Sequence, residues 1–150
     1  MKLCQFVITA IVIMVAACNK DKFTTIPQLT LKSISPETVV SGNVIRLKGS
    51  YTDKEGDIDS VFVVRKFFAG NTATKIDTIE KFQFAALNLP PKTLEGDIEL
   101  TYEYNTQNLG IRTLSGVAKD TTAALGMILK DKAANRSEYK ESEKIRLKKP

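Results

Sequence analysis

The stretch DIELTYEY, residues 97–104, indicates the fold of this chain more clearly than any other segment. Apolar and polar residues alternate strictly along it. The apolar set is Ile98, Leu100, Tyr102 and Tyr104, and the polar set is Asp97, Glu99, Thr101 and Glu103. Successive side chains of a strand point to opposite faces, so this alternation is typical of a strand with one face on a core. We therefore expect the apolar set to face the core and the polar set, including Glu103, to face solvent.

Further strand-like segments occur on both sides of DIELTYEY. They are LTL (29–31), VIRLKGSY (44–51), VFVVRKFF (61–68), TKIDTIEKFQF (74–84), LGMILK (125–130) and EKIRLKK (143–149). The segment 61–68 is almost continuously apolar, which predicts a central strand covered on both faces. Residues 109–124 predict a further short strand and a long crossover. About seven short strands separated by turn signals predict an all-β fold, an antiparallel sandwich, and no long amphipathic helix competes with this interpretation.

The N-terminus carries a targeting pattern. Lys2 precedes an apolar run, and Val15, Ala16 and Ala17 stand directly before Cys18, with polar residues after it. The run is shorter than the roughly 20 residues that a membrane-spanning helix needs, and it fits a secretory signal. The VAAC segment resembles the lipobox of bacterial lipoproteins, in which the cysteine carries lipid. A plain N-terminal membrane anchor, or ordinary secretion with a chance cysteine, are the alternatives.

This resemblance implies an organisation and a location. Residues 1–17 would be a cleaved signal peptide, residues 18–28 a tether, and residues 29–150 the folded domain. Lipid at Cys18 would attach the protein to a membrane of the bacterial cell envelope, and we expect the outer membrane.

The composition restricts the chemistry that the chain can perform. It has no histidine, so it can build neither a Ser-His-Asp triad nor a His-ligated zinc site by itself. Of its two cysteines, Cys4 would leave with the signal and Cys18 would be lipidated. We therefore expect no enzymatic activity. The net charge of +5 comes from basic residues scattered among acidic ones, so we expect no nucleic-acid partner.

Two segments resemble bacterial immunoglobulin-like and PKD-like modules. SGNVIRLKGSYTDKEGDIDSV, residues 41–61, is similar to their second strand and the loop that follows it. LKDKAANRSEYKESEKIRL, residues 129–147, is similar to their last two strands. The resemblance implies an immunoglobulin-like sandwich over about residues 29–147 and nearly nothing about function. Ala134 stands where these modules usually have glycine, so we expect the turn at that position to differ.

The acidic run TDKEGDIDS, residues 52–60, is the main candidate for a site. In an immunoglobulin-like sandwich its loop lies at the same end as the loop 131–135. Clustered carboxylate and amide oxygens are what Ca²⁺ prefers, so a weak calcium site is one interpretation. Its candidate ligands are Asp53, Glu55, Asp57, Asp59, Asp131 and Asn135. The other interpretation is a solvated turn balanced by Lys54, Lys132 and Arg136.

Two classes of function remain. The first is a protein-binding or structural module of the cell envelope, and the second is a carbohydrate-binding accessory lipoprotein of a glycan-uptake system. Carbohydrate modules stack sugars on exposed aromatic rings, but the chain has no tryptophan. Tyr51, Tyr102 and Tyr104 fall on core-facing positions, which leaves Tyr139 as the lone candidate platform. An exposed aromatic stripe would favour glycan binding, whereas only polar loops and a bare edge strand would favour protein contact or passive scaffolding.

Overall fold

A computed structural model describes residues 24–90 and 92–150 of the chain. Strands dominate this part, with one turn of 3-10 helix at Phe84–Leu87. The strands are β1 (Gln28–Ser35), β2 (Thr38–Val39), β3 (Val44–Thr52), β4 (Ile58–Ala69), β5 (Thr72–Gln83), β6 (Glu95–Tyr104), β7 (Arg112–Leu114), β8 (Thr121–Asp131), β9 (Lys140–Glu141) and β10 (Ile145–Leu147). The signal peptide, Cys18 and most of the predicted tether lie outside the described residues.

The strands form two sheets that enclose one core. The four-stranded sheet has the order β1-β3-β6-β7, and the six-stranded sheet has the order β2-β10-β8-β4-β5, with β9 pairing with β8. This arrangement confirms the predicted all-β sandwich. Two short pairs are parallel, β2 with β10 and β6 with β7, so the sandwich is not entirely antiparallel. Both parallel pairs lie at the end of the sandwich where β6 ends and β8 begins.

The four-stranded sheet supplies a regular half of the core. Strands β3 and β6 pair without a break in register from Val44↔Glu103 to Thr52↔Glu95. Ile98, Leu100, Tyr102 and Tyr104 are all at most 2% exposed, which confirms their predicted inward position. Tyr51, also buried, meets the ring of Phe84 edge-on at 5.1 Å between centroids. The 3-10 turn therefore closes the core at the end of β3.

The six-stranded sheet is less regular. Strand β4 lies between β8 and β5, as its apolar sequence predicts. Val61 and Val63 enter the core, while Phe62 lies on the outer face under the side chains of Lys81 and Arg136. The outer face of β4 is therefore covered by long cationic side chains. The β4–β5 register shifts at two places, between Val63 and Val64 and between Phe67 and Phe68.

The strand directions give the sandwich two different ends. One end, which we call the acidic end, contains the loops 53–57 and 131–135 and the connection from Phe84 to Leu94. Thr24, the first described residue, also lies there, because its carbonyl accepts a hydrogen bond from the Lys54 N–H at 3.1 Å. The opposite end, the far end, contains the β4–β5 turn and the crossover 115–120.

Candidate functional site

The two loops predicted to share one end do meet. The backbone N–H of Lys132 donates to the carbonyl of Asp57 at 3.2 Å, and this bond joins the turn after β8 to the acidic run. Gly56 takes φ +61° and packs against the backbone of Lys92 so closely that a Cβ would overlap it. The acidic run is therefore a packed corner rather than a free loop.

Asp53 is the most unusual residue of this corner. It is fully buried, and its Oδ2 accepts a hydrogen bond from the Asp57 N–H at 2.8 Å. Its other oxygen, Oδ1, is buried without a hydrogen-bond partner. Burial raises the pKa of Asp53, and the nearby carboxylates of Asp57, Glu55 and Asp131 raise it further, against the lowering effect of the hydrogen bond. A buried carboxylate oxygen without a partner is costly, so Asp53 gains from binding either a proton or a cation.

The remaining candidate ligands are arranged differently. Asp131 uses both oxygens within its own turn, accepting from the Asn135 N–H at 2.8 Å and from the Asn135 amide at 2.7 Å. Glu55 is exposed, and Asp59 lies at the start of β4. Among residues 24–90 and 92–150, no group of three or more Asp, Glu, His or Cys side chains is placed to hold a metal ion. Calcium binding therefore stays a prediction, and its best supported ligand is Asp53 Oδ1.

The expectation that alanine at position 134 would give a turn different from the glycine-containing one is wrong. This alanine adopts φ +72°, the left-handed conformation that glycine takes more easily. The bonds from Asn135 to Asp131 hold the turn in that shape.

The aromatic side chains do not form a bare platform. Tyr139 lies half-buried across Gly126, where a Cβ would overlap its ring, and Lys66 Nζ lies 4.9 Å from its ring centroid. Its hydroxyl donates to Glu141 at 2.9 Å, and burial together with this carboxylate raises the pKa of Tyr139. The ring of Phe68 is likewise covered by Lys144, whose Nζ lies 4.4 Å from the ring centroid. Cations cover these rings at the positions where a sugar would stack.

The exposed apolar surface of the described residues is aliphatic. Six large apolar side chains are exposed, namely Ile26, Val40, Ile76, Leu94, Leu109 and Ile111. Ile76 is the most exposed of them, at 62%, and it lies in the middle of β5. Strand β5 is twelve residues long and pairs only with β4 among the described strands. The structure thus has a long edge strand with an exposed apolar residue at its centre.

A cleft lies beside the half of β5 that is nearer the far end of the sandwich. Its volume is about 380 Å³, and it runs between the β4–β5 hairpin and the crossover 115–120. Phe67 lines it, with Arg65 and Lys75 lying 4.7 Å and 6.0 Å from its ring centroid. Sequence reasoning missed this cleft, because only the tertiary structure brings the crossover to the hairpin.

Sequence reasoning also placed Glu103 incorrectly. It lies on the outer side of β6, as alternation predicts, but it is 1% exposed because the loop 105–109 folds over it. Its carboxylate accepts hydrogen bonds from the Thr106 hydroxyl and from the N–H groups of Asn108 and Leu109. The Thr106 bond is the main cause that lowers the pKa of Glu103. Glu103 therefore organises the loop that leads to β7.

No protein-family model and no curated protein matches the chain. Among solved structures, the sporulation control protein Spo0M from Bacillus subtilis aligns with a TM-score of 0.47 and 9% identity over 85% of this chain and 51% of its own. This chain therefore spans about half the length of Spo0M. The superoxide reductase (neelaredoxin) from Ignicoccus hospitalis aligns at 0.42 and 12% over 79% of this chain and 77% of its own. The DNA glycosylase AlkC from Pseudomonas fluorescens aligns at 0.41 and 11% over 81% of this chain and 30% of its own.

These likenesses are too distant to transfer a property. All three TM-scores are below 0.5, and no identity exceeds 12%. The described strands define the class as an all-β sandwich, and no narrower family assignment follows from the comparisons. No helix in the described part of the chain is long and apolar enough to cross a membrane.

Proposed function

We propose that this chain is a lipid-anchored protein of the bacterial cell envelope, without enzymatic activity, whose sandwich binds another protein. The free edge of β5 is the observation that supports this function best. An exposed strand edge offers unpaired N–H and C=O groups, to which a partner strand can add. The large apolar side chains exposed among the described residues are aliphatic, and cations lie over the rings of Tyr139 and Phe68, so protein contact is favoured over sugar stacking.

The anchor would be Cys18, attached to a membrane that we take to be the outer membrane. Several acyl chains on one residue give stable attachment, since each buried CH₂ contributes about 0.8 kcal/mol and a single chain is marginal. Intact-mass measurement of the protein from its native membrane tests this part. The expected species begins at Cys18 and carries lipid mass, and Cys18→Ser should abolish that mass. A chain that retains Met1 or lacks lipid would contradict the anchor.

Site-specific photo-crosslinking tests the binding surface. A photoreactive residue at Ile76 should give a discrete cross-linked product in intact cells. The matched control carries the same residue at Lys48, which is exposed on the outer face of the four-stranded sheet. Products of equal yield at both positions would contradict a specific role of the β5 edge.

The carbohydrate-binding alternative has one feature in its favour, the cleft beside Phe67. Its ring and the hydroxyls of Thr74 and Thr121 line the same space. Titration of the protein with envelope glycans, with Phe67→Ala as the comparison, separates the two functions. Binding that Phe67→Ala abolishes would favour the carbohydrate-binding role.

A further inference from the structure

The free edge of β5 is regular only over a short run. Relative to β4, Thr74 and Ile79 are extra residues, because Phe67 pairs with Lys75, Phe68 with Ala73, Val63 with Glu80 and Val64 with Thr78. The residues between these two bulges, 75–78, keep an unbroken register. Any strand that adds to this edge in regular pairing must therefore do so around this run.

The run carries two opposite charges on one face and an apolar residue on the other. Lys75 and Asp77 share a face, with Nζ 3.0 Å from Oδ2, and Arg65 lies 4.0 Å from the same carboxylate. Ile76 points to the opposite face, where it pairs with Lys66 of β4. Charges on an edge strand disfavour pairing with most other strands. They favour pairing only with a strand that carries opposite charges at the positions directly across from them.

We propose that the occupant of this edge is a second copy of this chain. It pairs antiparallel along β5, with the two-fold axis passing through Ile76. In this register, Ile76 lies opposite Ile76 of the second copy. Lys75 lies opposite Asp77 of the second copy, and Asp77 lies opposite its Lys75. The two copies then place four alternating charges on one face and two isoleucines on the other.

The charges select this register over its neighbours. Opposite charges placed directly across a strand pair stabilise it, and like charges destabilise it. Centring the two-fold axis on Lys75 places the two lysines directly opposite each other, and centring it on Asp77 does the same with the two carboxylates. Centring it on Thr78 sets Lys75 opposite Lys81. Of the centres from Lys75 to Thr78, only Ile76 gives each charge an opposite partner.

This inference rests on the proposed function, because it names the partner of the same edge. The two-fold axis is perpendicular to the sheet, so two chains anchored in one membrane lie with their strands along its surface.

The first experiment uses Ile76→Cys in the full-length chain in its own membrane. Opposite residues in an antiparallel pair have Cα atoms about 4.5–5.5 Å apart, which lies within the range that a disulfide spans.

Ile76→Cys should form a disulfide-linked dimer as its main species under mild oxidation. The matched control is Thr78→Cys, whose two copies would be offset by four residues, or about 13 Å along the strand. Thr78→Cys should give no more disulfide-linked dimer than the unchanged chain does. The yield from the unchanged chain also measures the background that Cys4 and Cys18 contribute. Equal dimer yields at positions 76 and 78, or no dimer at either, would overturn the proposal.

A charge exchange tests the register independently. Lys75→Asp and Asp77→Lys, each carrying Ile76→Cys, should each lose most of the dimer, because like charges then face each other. The first variant is acidic at both positions and the second is basic at both, so differently tagged copies expressed together should form a mixed dimer. In that mixture neither chain regains the ion pair between its own residues 75 and 77. A restored dimer yield is therefore explained only by pairing between the two chains. Absence of the mixed dimer, with both variants folded, would overturn the register.

The outcomes also separate this inference from the proposed function. A cross-link from position 76 to a different protein, without any self-dimer, would keep the proposed function and refute the second copy as its partner. No cross-link from position 76 to any protein would refute both.

Discussion

The two sheets of this sandwich differ in the regularity of their strand pairing and in the side chains that cover their strands. In the four-stranded sheet, β3 and β6 pair in unbroken register, and their inner face is closed by aliphatic and tyrosine side chains. In the six-stranded sheet, β4 and β5 are bulged twice, and cations lie over the rings of Phe62, Phe67 and Phe68. Both sheets supply side chains to the core, but only the bulged sheet also ends in a long edge strand whose central residue, Ile76, is exposed.

Leu100→Ala is the strongest test of the regular sheet. Leu100 is fully buried on β6 and pairs with Leu47, which is also fully buried. Removing its side chain loses transfer free energy and leaves a cavity, so we expect the free energy of unfolding to fall by about 2–5 kcal/mol. Denaturant unfolding measures this change. A change within error would contradict the inward, fully buried position of Leu100.

Asp53 tests the corner where the chain passes from one sheet to the other. With calcium at about 10 mM and a dissociation constant of about 10⁻⁴ M, binding to the folded state would stabilise it by about 2.7 kcal/mol. Thermal melting in calcium and in chelator measures this shift, and Asp53→Asn should abolish it. A shift that Asp53→Asn leaves intact would place the cation elsewhere. An equal melting temperature of the unchanged protein in calcium and in chelator would favour the interpretation of the acidic run as a turn without a cation.

The same variant tests the proton alternative in chelator. Because the pKa of Asp53 is raised in the folded protein, the stability linked to its proton is complete below the unfolded pKa of about 3.9 and is lost as the pH rises through the folded pKa. Asp53→Asn should therefore melt at a higher temperature than the unchanged protein at pH 8 and lose that advantage near pH 4. Asp97→Asn is the control for the loss of one carboxylate, because Asp97 is exposed and is not among the charges that act on Asp53. A pH-independent difference would contradict the raised pKa.

Glu103→Gln probes the outer side of the regular sheet. The folded pKa of Glu103 is lowered, so its stabilising contribution is present above the unfolded pKa of about 4.3 and is lost as the pH falls through the folded pKa. The variant should melt below the unchanged protein at pH 7, and the gap should close in acid. Glu99→Gln, on the exposed part of the same face, is the control and should change little. A gap that persists in acid would assign the effect to packing instead.

Phe62→Ala should have the smallest effect. Phe62 is half-buried on the outer face, with Lys81 and Arg136 at 5.3 Å and 5.2 Å from its ring centroid. Partial burial and two exposed cation–π contacts suggest a loss of about 1 kcal/mol. Unfolding in denaturant measures it beside Leu100→Ala. A loss as large as that of Leu100→Ala would remove the contrast between the two sheets.

The regular sheet is also the part that the sequence predicts best. Strict alternation in DIELTYEY assigns the core residues of β6 correctly, because an unbroken strand preserves the period of two. The same rule extended through β3 would have reached Asp53, which continues the buried face of Ile45, Leu47 and Tyr51. Its acidic character favoured a solvated interpretation, although its position in the pattern indicates burial.

The bulged sheet was harder to predict, and so were parts of the site. Each bulge on β5 reverses the facing of the residues after it, so alternation alone cannot say that Glu80 faces inward. Its partners come from distant strands, since Tyr102 donates to it at 2.7 Å and Arg112 lies 3.0 Å away. The meeting of the two acidic-end loops followed from the expected topology. The use of both Asp131 oxygens by Asn135 depended on the local shape of the turn.

The contact between Gly126 and Tyr139 has a consequence for how this sequence can change over time. The ring of Tyr139 occupies the space that any side chain at position 126 would need. A substitution at position 126 is therefore tolerated only after the ring has been lost or moved, so the order of mutations matters. Among descendants of this chain, the two positions should change together, with a glycine wherever an aromatic residue is kept.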